Sequence, residues 1–444
     1  MYPATFYAQT RTDLGIRPAL HGNHDTDTVI IGGGLAGLTT ALELAREGVV
    51  VTVLESQSIG FGASGRNGGI VSPAFACGDT AIAARVGPER ARALHRLSIE
   101  GVTRLRGHID TLGIAGAEPI PGLLNLRRFD AAADLQAHAE AFQRDYGYTL
   151  TYLNRAAIAE RLSTTRYLHG LEDTRAFHIH PLNYLRALAR EIERLGGHIF
   201  EDTPATGCDF GSGSGADLGF GSGSALGFGT GSQKRICTPA GQVTAQRAVF
   251  ATGGYTGPLI PRLKRAFLPI ATYMMLTEAA PDLLAQTIRT KAAVLDDRRA
   301  SDYYRLVDGG KRLLWGGRIT TRAASSAGVA RELRRAMLDV YPQLAALKTE
   351  LSWSGLMGYA THLMPQIGAL QPDVWHITAF GGHGLNTTAI AGKVLAEAIL
   401  HQSDRIALFA PWGLTHAGGP FGLAAAQLTY WALQAQDLWR ERRT

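Results

Sequence analysis

Residues 28–55, TVIIGGGLAGLTTALELAREGVVVTVLE, constrain the fold of this chain more than any other stretch. The apolar run 28–31 reads as a buried strand, 35–47 as a helix stopped by Gly48, and 49–54 as a second apolar strand. Strands so uniformly apolar belong to a parallel sheet covered on both faces, and a helix between them makes a β-α-β unit. At the turn between strand and helix lies GGGLAG, residues 32–37, with the glycine spacing of a dinucleotide fingerprint. Gly32 permits the tight turn, Gly34 lets the backbone approach a pyrophosphate, and Gly37 lets the helix pack close to the strand. The helix N-terminus offers N–H groups and a positive dipole end to the phosphates. Glu55, at the end of the second strand, suits ribose hydroxyls and repels a 2′-phosphate. NAD and FAD share this element, so the unit alone leaves both open.

The 444 residues are enough for two or three domains, and 45% apolar with 18% charged residues is the composition of an ordinary globular enzyme. The net charge of +6 is scattered, with no basic patch interleaved with aromatics, so no nucleic-acid partner is expected. Cys77, Cys208 and Cys237 have no pairing or zinc spacing, which points to a reducing, cytoplasmic setting. His178 and His180 lie two apart without further ligands nearby, so no metal is expected. The first twenty residues lack a basic region followed by an apolar run, and no signal peptide is expected. Residues 406–436 carry no Asp, Glu, Lys or Arg, but Pro411, Gly413, Gly418, Gly419 and Pro420 interrupt them. Phe421, Ala424, Ala425, Leu428, Trp431 and Ala432 recur there at helical spacing. A helix packed by that stripe on the body, or on a second subunit of a homodimer, is expected; membrane-surface contact is the lesser alternative.

Helices are expected at 90–112, 131–146, 180–195, 330–341 and 387–400, and strands at 198–200, 247–251, 267–278, 302–318 and 376–380. Residues 211–232 repeat LGFG-type units and cannot bury enough surface to order themselves, so 207–234 reads as a flexible Gly/Ser-rich insertion or an expanded hairpin tip. After Glu55 the loop GFGASGRNGG places Ser64, Gly65, Arg66, Asn67, Gly68 and Gly69 where little side-chain bulk could let a flat ring system approach. An ordinary surface loop has a similar composition.

GGGLAG, Glu55, FGASGRNGG at 61–69, HPLNYLRALA at 180–189, ATGGYTG at 251–257 and FGGHGLNTT at 380–388 occur in an order that resembles the D-amino-acid-oxidase-like FAD oxidoreductases. Within them the chain is most similar to the gamma-glutamylputrescine oxidoreductase group, over nearly its whole length except the glycine-rich insertion. The resemblance implies an α/β fold: a discontinuous Rossmann-like FAD-binding domain with a second, mixed-sheet (α+β) substrate domain. The boundaries that follow are 26–80, 166–265 and 366–402 for the FAD domain, 81–165 and 266–365 for the substrate domain, and 403–444 for a C-terminal helical segment. It also implies that Thr252 and Gly253 lie near the adenine side, and that Gly381, Gly382, His383 and Gly384 lie under the flavin pyrimidine edge. The cofactor-binding set is thus Gly32, Gly34, Gly37, Glu55, Ser64, Arg66, Asn67, Gly68, Thr252, Gly253, Gly382, His383, Gly384 and Asn386. His383 also reads simply as a packed turn histidine. Some relatives attach flavin through a Cys in the segment before the last glycine motif, or a His in the loop after the acidic residue; the matching stretches LSWSGLMGYATHLMPQIG and ASGRNGG lack that Cys and that His, so non-covalent FAD is expected.

The implied reaction is oxidation of an amine, with hydride passing from the carbon beside nitrogen to the flavin and the imine hydrolysing to an aldehyde. Sarcosine-oxidising relatives hold a substrate carboxylate with basic residues where this chain has Asn386 and the uncharged run 70–76. That departure favours an N-acylated diamine such as gamma-glutamylputrescine, and with it polyamine catabolism. The alternatives are an oxidase of a small amino acid or N-methyl amino acid, and an FAD-binding electron-transfer subunit. Oxygen or a quinone is the acceptor, with an oxidase favoured over a dehydrogenase. Candidate pocket residues are Tyr273, Tyr303, Tyr304, Arg305, Trp315, Trp353, Tyr359 and His362, an aromatic set suited to an amine, with His383, Tyr304 and Trp353 as the catalytic candidates.

Overall fold

The computed structural model describes residues 2–211, 233–298, 302–321 and 326–441. Its backbone forms two large sheets, one mostly parallel and one mostly antiparallel, in a mixed α/β arrangement.

In the first sheet, Gly22–Ile31 is central because its inner half, Val29 to Ile31, is apolar on both faces. It pairs in parallel with Val51–Leu54 on one side and Gly241–Phe250 on the other, Ile31 lying opposite both Leu54 and Phe250. Val374–Thr378 continues the parallel array beyond Gly241–Phe250, Gln366–Gln371 closes that edge antiparallel, and His198–Phe200 closes the other. The cofactor-side sheet therefore draws strands from the beginning, middle and end of the chain, as the motif order implied. Helices Leu35–Arg46, Pro88–Thr111, Pro181–Arg194 and Gly384–Ile399 pack beside it around one apolar core. His180 caps its helix, its Nδ1 accepting the N–H of Asn183 at 3.1 Å, and Pro181 takes the first turn.

The second sheet runs Thr349–Tyr359, Leu268–Thr277, Arg312–Thr320, Tyr303–Val307, Ala293–Leu295, Ile120–Arg127, His169–His178 and Ile70–Val71, with Thr151–Leu153 pairing His169–His178. Its outer face is covered by Ser326–Val340, over a core that includes Tyr273, Met275, Tyr304, Trp315, Leu333 and Tyr341. Its inner face carries Met274, Leu314 and Trp353, which meet Tyr7 of the N-terminal arm and Leu182.

Several boundaries differ from the sequence reading. The strand His169–His178, expected on the cofactor side, pairs with Ile120–Arg127 in the second sheet. The helix Pro88–Thr111, expected in the substrate domain, packs on Gly384–Ile399 and shares the cofactor-side core. Charge on its solvent face hid the apolar stripe Leu94, Leu97, Val102, Leu105 and Ile109. Gly207–Asp209 and Lys234–Thr238 pair antiparallel, so the stem of a hairpin brackets the glycine-rich run. Residues 212–232 themselves, where flexibility was expected, lie outside the described residues.

The C-terminal helix Gly419–Glu441 does not pack on the body by the expected stripe, the first of the two alternatives. Phe421 is 88% and Leu428 62% exposed, and Ala424, Ala425, Trp431 and Ala432 are also on the outside. The helix is seated instead by Leu423, Ala426, Gln427 and Tyr430, with Gln427 Oε1 accepting the N–H of Thr321 at 3.1 Å. Hydrophobic spacing marked a helical stripe, but alanine-rich turns left both faces apolar enough to pack. Among the described residues no helix is long and apolar enough to cross a membrane.

Candidate active site

A single cavity of about 1690 Å³ runs from the glycine turn of the first sheet to the inner face of the second. Its size exceeds the roughly 300–1,000 Å³ of a site for one small molecule, and suits a dinucleotide together with a substrate.

At one end the walls are Ile31, Gly32, Gly34, Leu35, Ala36 and Glu55, facing Thr252, Gly253 and Tyr255. Gly32 has φ +116°, and a Cβ there would sit 2.6 Å from the carbonyl oxygen of Ala251. A Cβ on Gly34 would lie 2.9 Å from Ser64 Oγ, and one on Gly37 would overlap the carbonyl oxygen of Gly32. Gly37 lies off the cavity wall and permits the helix–strand approach, as its place in the fingerprint predicts. Ser64 lines the cavity but is partly committed, since its Oγ accepts the N–H of Leu35 at 3.0 Å. Ala36, in the helix's first turn, has no acceptor within the helix and lines the same end. Glu55 accepts N–H bonds from Gly33 at 2.8 Å and Gln57 at 2.9 Å; burial raises its pKa, and these bonds oppose the rise. A glycine cradle, a helix N-terminus and a half-buried carboxylate fit a pyrophosphate and an adenosine ribose.

The loop at 60–69 forms the middle of the cavity. Asn67 organises it, with Nδ2 donating to the carbonyl of Ser64 at 2.7 Å and Oδ1 accepting the N–H of Gly69 at 2.8 Å. Arg66, expected to bind the cofactor, is not on the wall. Its guanidinium clips the loop to the carbonyls of Phe61 at 2.6 Å and Ser354 at 2.9 Å, and to the Tyr255 hydroxyl at 3.1 Å. Gly68 lies against Tyr303, whose Cε2 would be 2.6 Å from an added Cβ.

The far end is built by Ile70, Thr272, Leu295, Tyr303, Met357, Tyr359 and the turn Phe380–Gly384. Gly382, His383 and Gly384 reach the wall at the N-terminus of Gly384–Ile399. Burial lowers the His383 pKa, so the ring is neutral near pH 7. Burial likewise pushes the Tyr359 phenol up to about 12. Asn386 does not reach the cavity; its Nδ2 donates to Ser98 and Ala74 carbonyls at 3.3 and 3.4 Å. In a helix, Leu385 and Thr388 share the cavity face while residue 386 turns about 100° away.

The aromatic set divides by strand alternation. Tyr303 and Tyr359 line the cavity, whereas Tyr304, a catalytic candidate, points outward and stacks on Trp315 with ring centroids 4.3 Å apart. The Tyr304 hydroxyl meets that of Tyr341 at 2.8 Å, and Tyr273 bonds Thr320 on the same outer side at 2.8 Å. Trp353, the other aromatic candidate, stands behind the wall, its indole donating to the Arg66 carbonyl at 2.9 Å. His362 is engaged away from the cavity, by the N–H of Met364 at 3.2 Å and the carbonyl of Gly413 at 3.3 Å. Arg305 is a buried residue behind Gly68, donating to its carbonyl at 2.8 Å. Sequence reasoning missed Phe61, Tyr255, Met357 and Arg318, all on the wall. Tyr255 carried a signal, since it follows Thr252, Gly253 and Gly254 in ATGGY.

Among the described wall residues the permanent charges are Glu55, Asp209 and Arg318. Arg318, at φ +59°, reaches outward, its Nε lying 3.7 Å from Glu332 of the covering helix. His178 and His180 use both ring nitrogens in hydrogen bonds, to Lys291 and Arg305 and to Thr10 and Asn183.

Comparison with known proteins agrees with this geometry. Residues 27–398 match the family model DAO, FAD dependent oxidoreductase. The chain is 29% identical over 423 residues to gamma-glutamylputrescine oxidoreductase of Escherichia coli (strain K12), covering 95% of this chain and 94% of that one. It is 24% identical to glycine oxidase of Bacillus licheniformis, covering 84% and 93%. The crystal structure of glycine oxidase from Geobacillus kaustophilus superposes with a TM-score of 0.69 at 20% identity, covering 88% of this chain and 99% of that one.

Proposed function

Because this chain belongs to the DAO family of FAD-dependent oxidoreductases, we propose that it oxidises an amine bearing no carboxylate on the reacting carbon, an N-acylated diamine of the gamma-glutamylputrescine type. The observation that carries this reading is the far end of the cavity. There Tyr303, Tyr359, Leu295, Ile70 and Met357 present aromatic and apolar surface, and the one permanent cation among the described wall residues, Arg318, has its Nε 3.7 Å from Glu332. An α-carboxylate placed there would be desolvated with no cation on the wall to hydrogen-bond it, at a cost of several kcal/mol.

Bound FAD supplies the acceptor for a hydride leaving the carbon next to nitrogen. Gly32, Gly34, Glu55, Thr252 and Gly253 would hold its adenosine and pyrophosphate, and Asn67, Gly68 and Gly382 to Gly384 its ring end. The chain's own residues select the reactive form of the substrate. No carboxylate lines the far end among the described residues, so the wall has no anion to pair with an ammonium, and the neutral amine is favoured. His383, neutral near pH 7, adds no repulsive charge. Tyr303 and Tyr359 bracket the space and orient the chain of the amine. The imine left after hydride loss hydrolyses to an aldehyde and ammonia.

FAD is bound without a covalent link in this reading, since Cys208 and Cys237 line only the adenosine end. The electron acceptor is oxygen or a quinone, with an oxidase favoured over a dehydrogenase. A second reading, oxidation of a small amino acid, is favoured by Arg318, the one permanent cation among the described wall residues, and by the glycine oxidase relatives. Anaerobic titration of the holoprotein with a mono-acylated putrescine, sarcosine, glycine and D-alanine, following flavin bleaching, separates the readings. Bleaching by the acylated diamine is expected. Bleaching only by the α-amino acids would overturn the proposal, and no bleaching by any amine would leave an electron-relay role.

A further inference from the structure

Among the described residues, Arg305 is a buried guanidinium with no acid paired to it. In Tyr303–Val307 it shares the inner face with Tyr303, and it donates to four groups: the Gly68 carbonyl at 2.8 Å, His178 Nδ1 at 2.9 Å, the Ile179 carbonyl at 2.8 Å and the Tyr7 hydroxyl at 3.0 Å. Every acceptor is neutral. Burial holds the Tyr7 phenol protonated and the His178 ring uncharged, and the Arg305 charge acts on Tyr7, His178 and His180 alike. Other buried arginines meet acids: Arg17 pairs with Glu193 at 2.6 Å, and Arg128 with Asp339 at 2.9 Å and with Asp296. A buried charge left without a counter-charge is costly and calls for an explanation.

The guanidinium sits one layer behind the cavity. Gly68 and Gly69 are wall residues, and a Cβ on Gly69 would lie 2.7 Å from Nη2 of Arg305. When an amine gives up a hydride, its carbon–nitrogen unit becomes an iminium. The acceptor gains two electrons and one proton, and so one negative charge. We propose that Arg305 is the fixed counter-charge for the reduced flavin, held in place by neutral hydrogen bonds and acting through the Gly68–Gly69 peptide rather than by contact. It is a positioning residue: its charge is present before reduction, so no reorganisation is needed when the negative charge arrives.

The inference rests on FAD occupying the cavity and not on which amine is oxidised, and the midpoint potential of the bound flavin tests it. In Arg305→Gln the oxidised form should gain about tenfold relative to the reduced form, a fall of about 30 mV for a two-electron couple. Arg305→Lys, which keeps the charge, should stay near the parent value. Tyr7→Glu leaves the guanidinium in place but gives it a carboxylate, and should lower the potential as Arg305→Gln does, which serves if the latter does not fold. A residue that merely braced the loop would weaken FAD retention in the Gln and Lys variants alike without moving the potential. The proposal is overturned if Arg305→Gln and Tyr7→Glu keep the parent potential, or if Arg305→Lys falls as far as Arg305→Gln.

Discussion

Arg305 and His178 fix one another: Nη1 donates to Nδ1 across 2.9 Å, and Nε2 gives its proton to the Lys291 carbonyl, also at 2.9 Å. The imidazole is therefore a neutral Nε2–H tautomer, since Nδ1 can only accept. Burial, reinforced by the arginine's charge, takes its pKa down to about 3. His180, by the same causes, lies at about 3, and burial takes His376 to about 4.

Acid sensitivity follows. Each of these histidines has a folded pKa below its unfolded value near 6.5. As pH falls below 6.5 the unfolded chain takes up protons that the folded chain refuses. Stability is complete above about 6.5 and is lost toward pH 4–3, each histidine removing up to about 1.4 kcal/mol per pH unit. Denaturant unfolding at pH 7.5 and 5.5 should show a marked drop, and equal stabilities would refute the buried neutral state.

Gly37→Ala should destabilise the chain by about 1–3 kcal/mol, because the new methyl overlaps the Gly32 carbonyl where helix and strand touch. Since Gly32 forms the cavity's turn, FAD content should fall as well. Thermal melts with and without added FAD measure both effects; a variant that retains the parent melting temperature and flavin content contradicts the close approach.

Glu55→Gln replaces two acceptor oxygens with one oxygen and one NH2. That NH2 must face the N–H of Gly33 or Gln57, leaving a donor unpaired at a cost of about 1–3 kcal/mol. FAD affinity should drop roughly tenfold to a hundredfold, read by titrating quenching of flavin fluorescence. Unchanged affinity would remove Glu55 from the ribose site.

Tyr304→Phe deletes the hydroxyl bonded to Tyr341 and should cost about 1 kcal/mol of stability. The flavin reduction rate should stay the same, because the ring faces the outer core. Stopped-flow reduction decides this, and a slowed rate would return Tyr304 to the site.

Acid precipitation should release all of the FAD into the supernatant. Flavin left in the pellet would reveal a covalent link.

The cofactor half was legible because its physics is local: an apolar run, a glycine turn and an acid at fixed spacing occur within residues 28–55. The cavity half was not. Tyr303 and Tyr304 are adjacent in sequence and equally aromatic, and period-two alternation sends one to the cavity and the other to a core. Which face is which depends on Ser326–Val340 covering the outer side, a fact set by tertiary packing. Asn386 failed for a similar reason, since the rotation of Gly384–Ile399 is fixed by its contact with Pro88–Thr111. Arg305 showed no sequence signal of isolation, because a missing counter-ion is a property of the surroundings.

The pairing of Gly22–Ile31 with Gly241–Phe250 has a consequence for biosynthesis. The strand that opens the cofactor fold leaves the ribosome early, yet its long-edge neighbour emerges much later, and Val374–Thr378 later still. At roughly 5–20 residues per second, the apolar edge of the first strand waits tens of seconds for its partner. During translation that edge is open to other nascent chains, and the nucleotide cleft is assembled only once the chain has been made through Val374–Thr378.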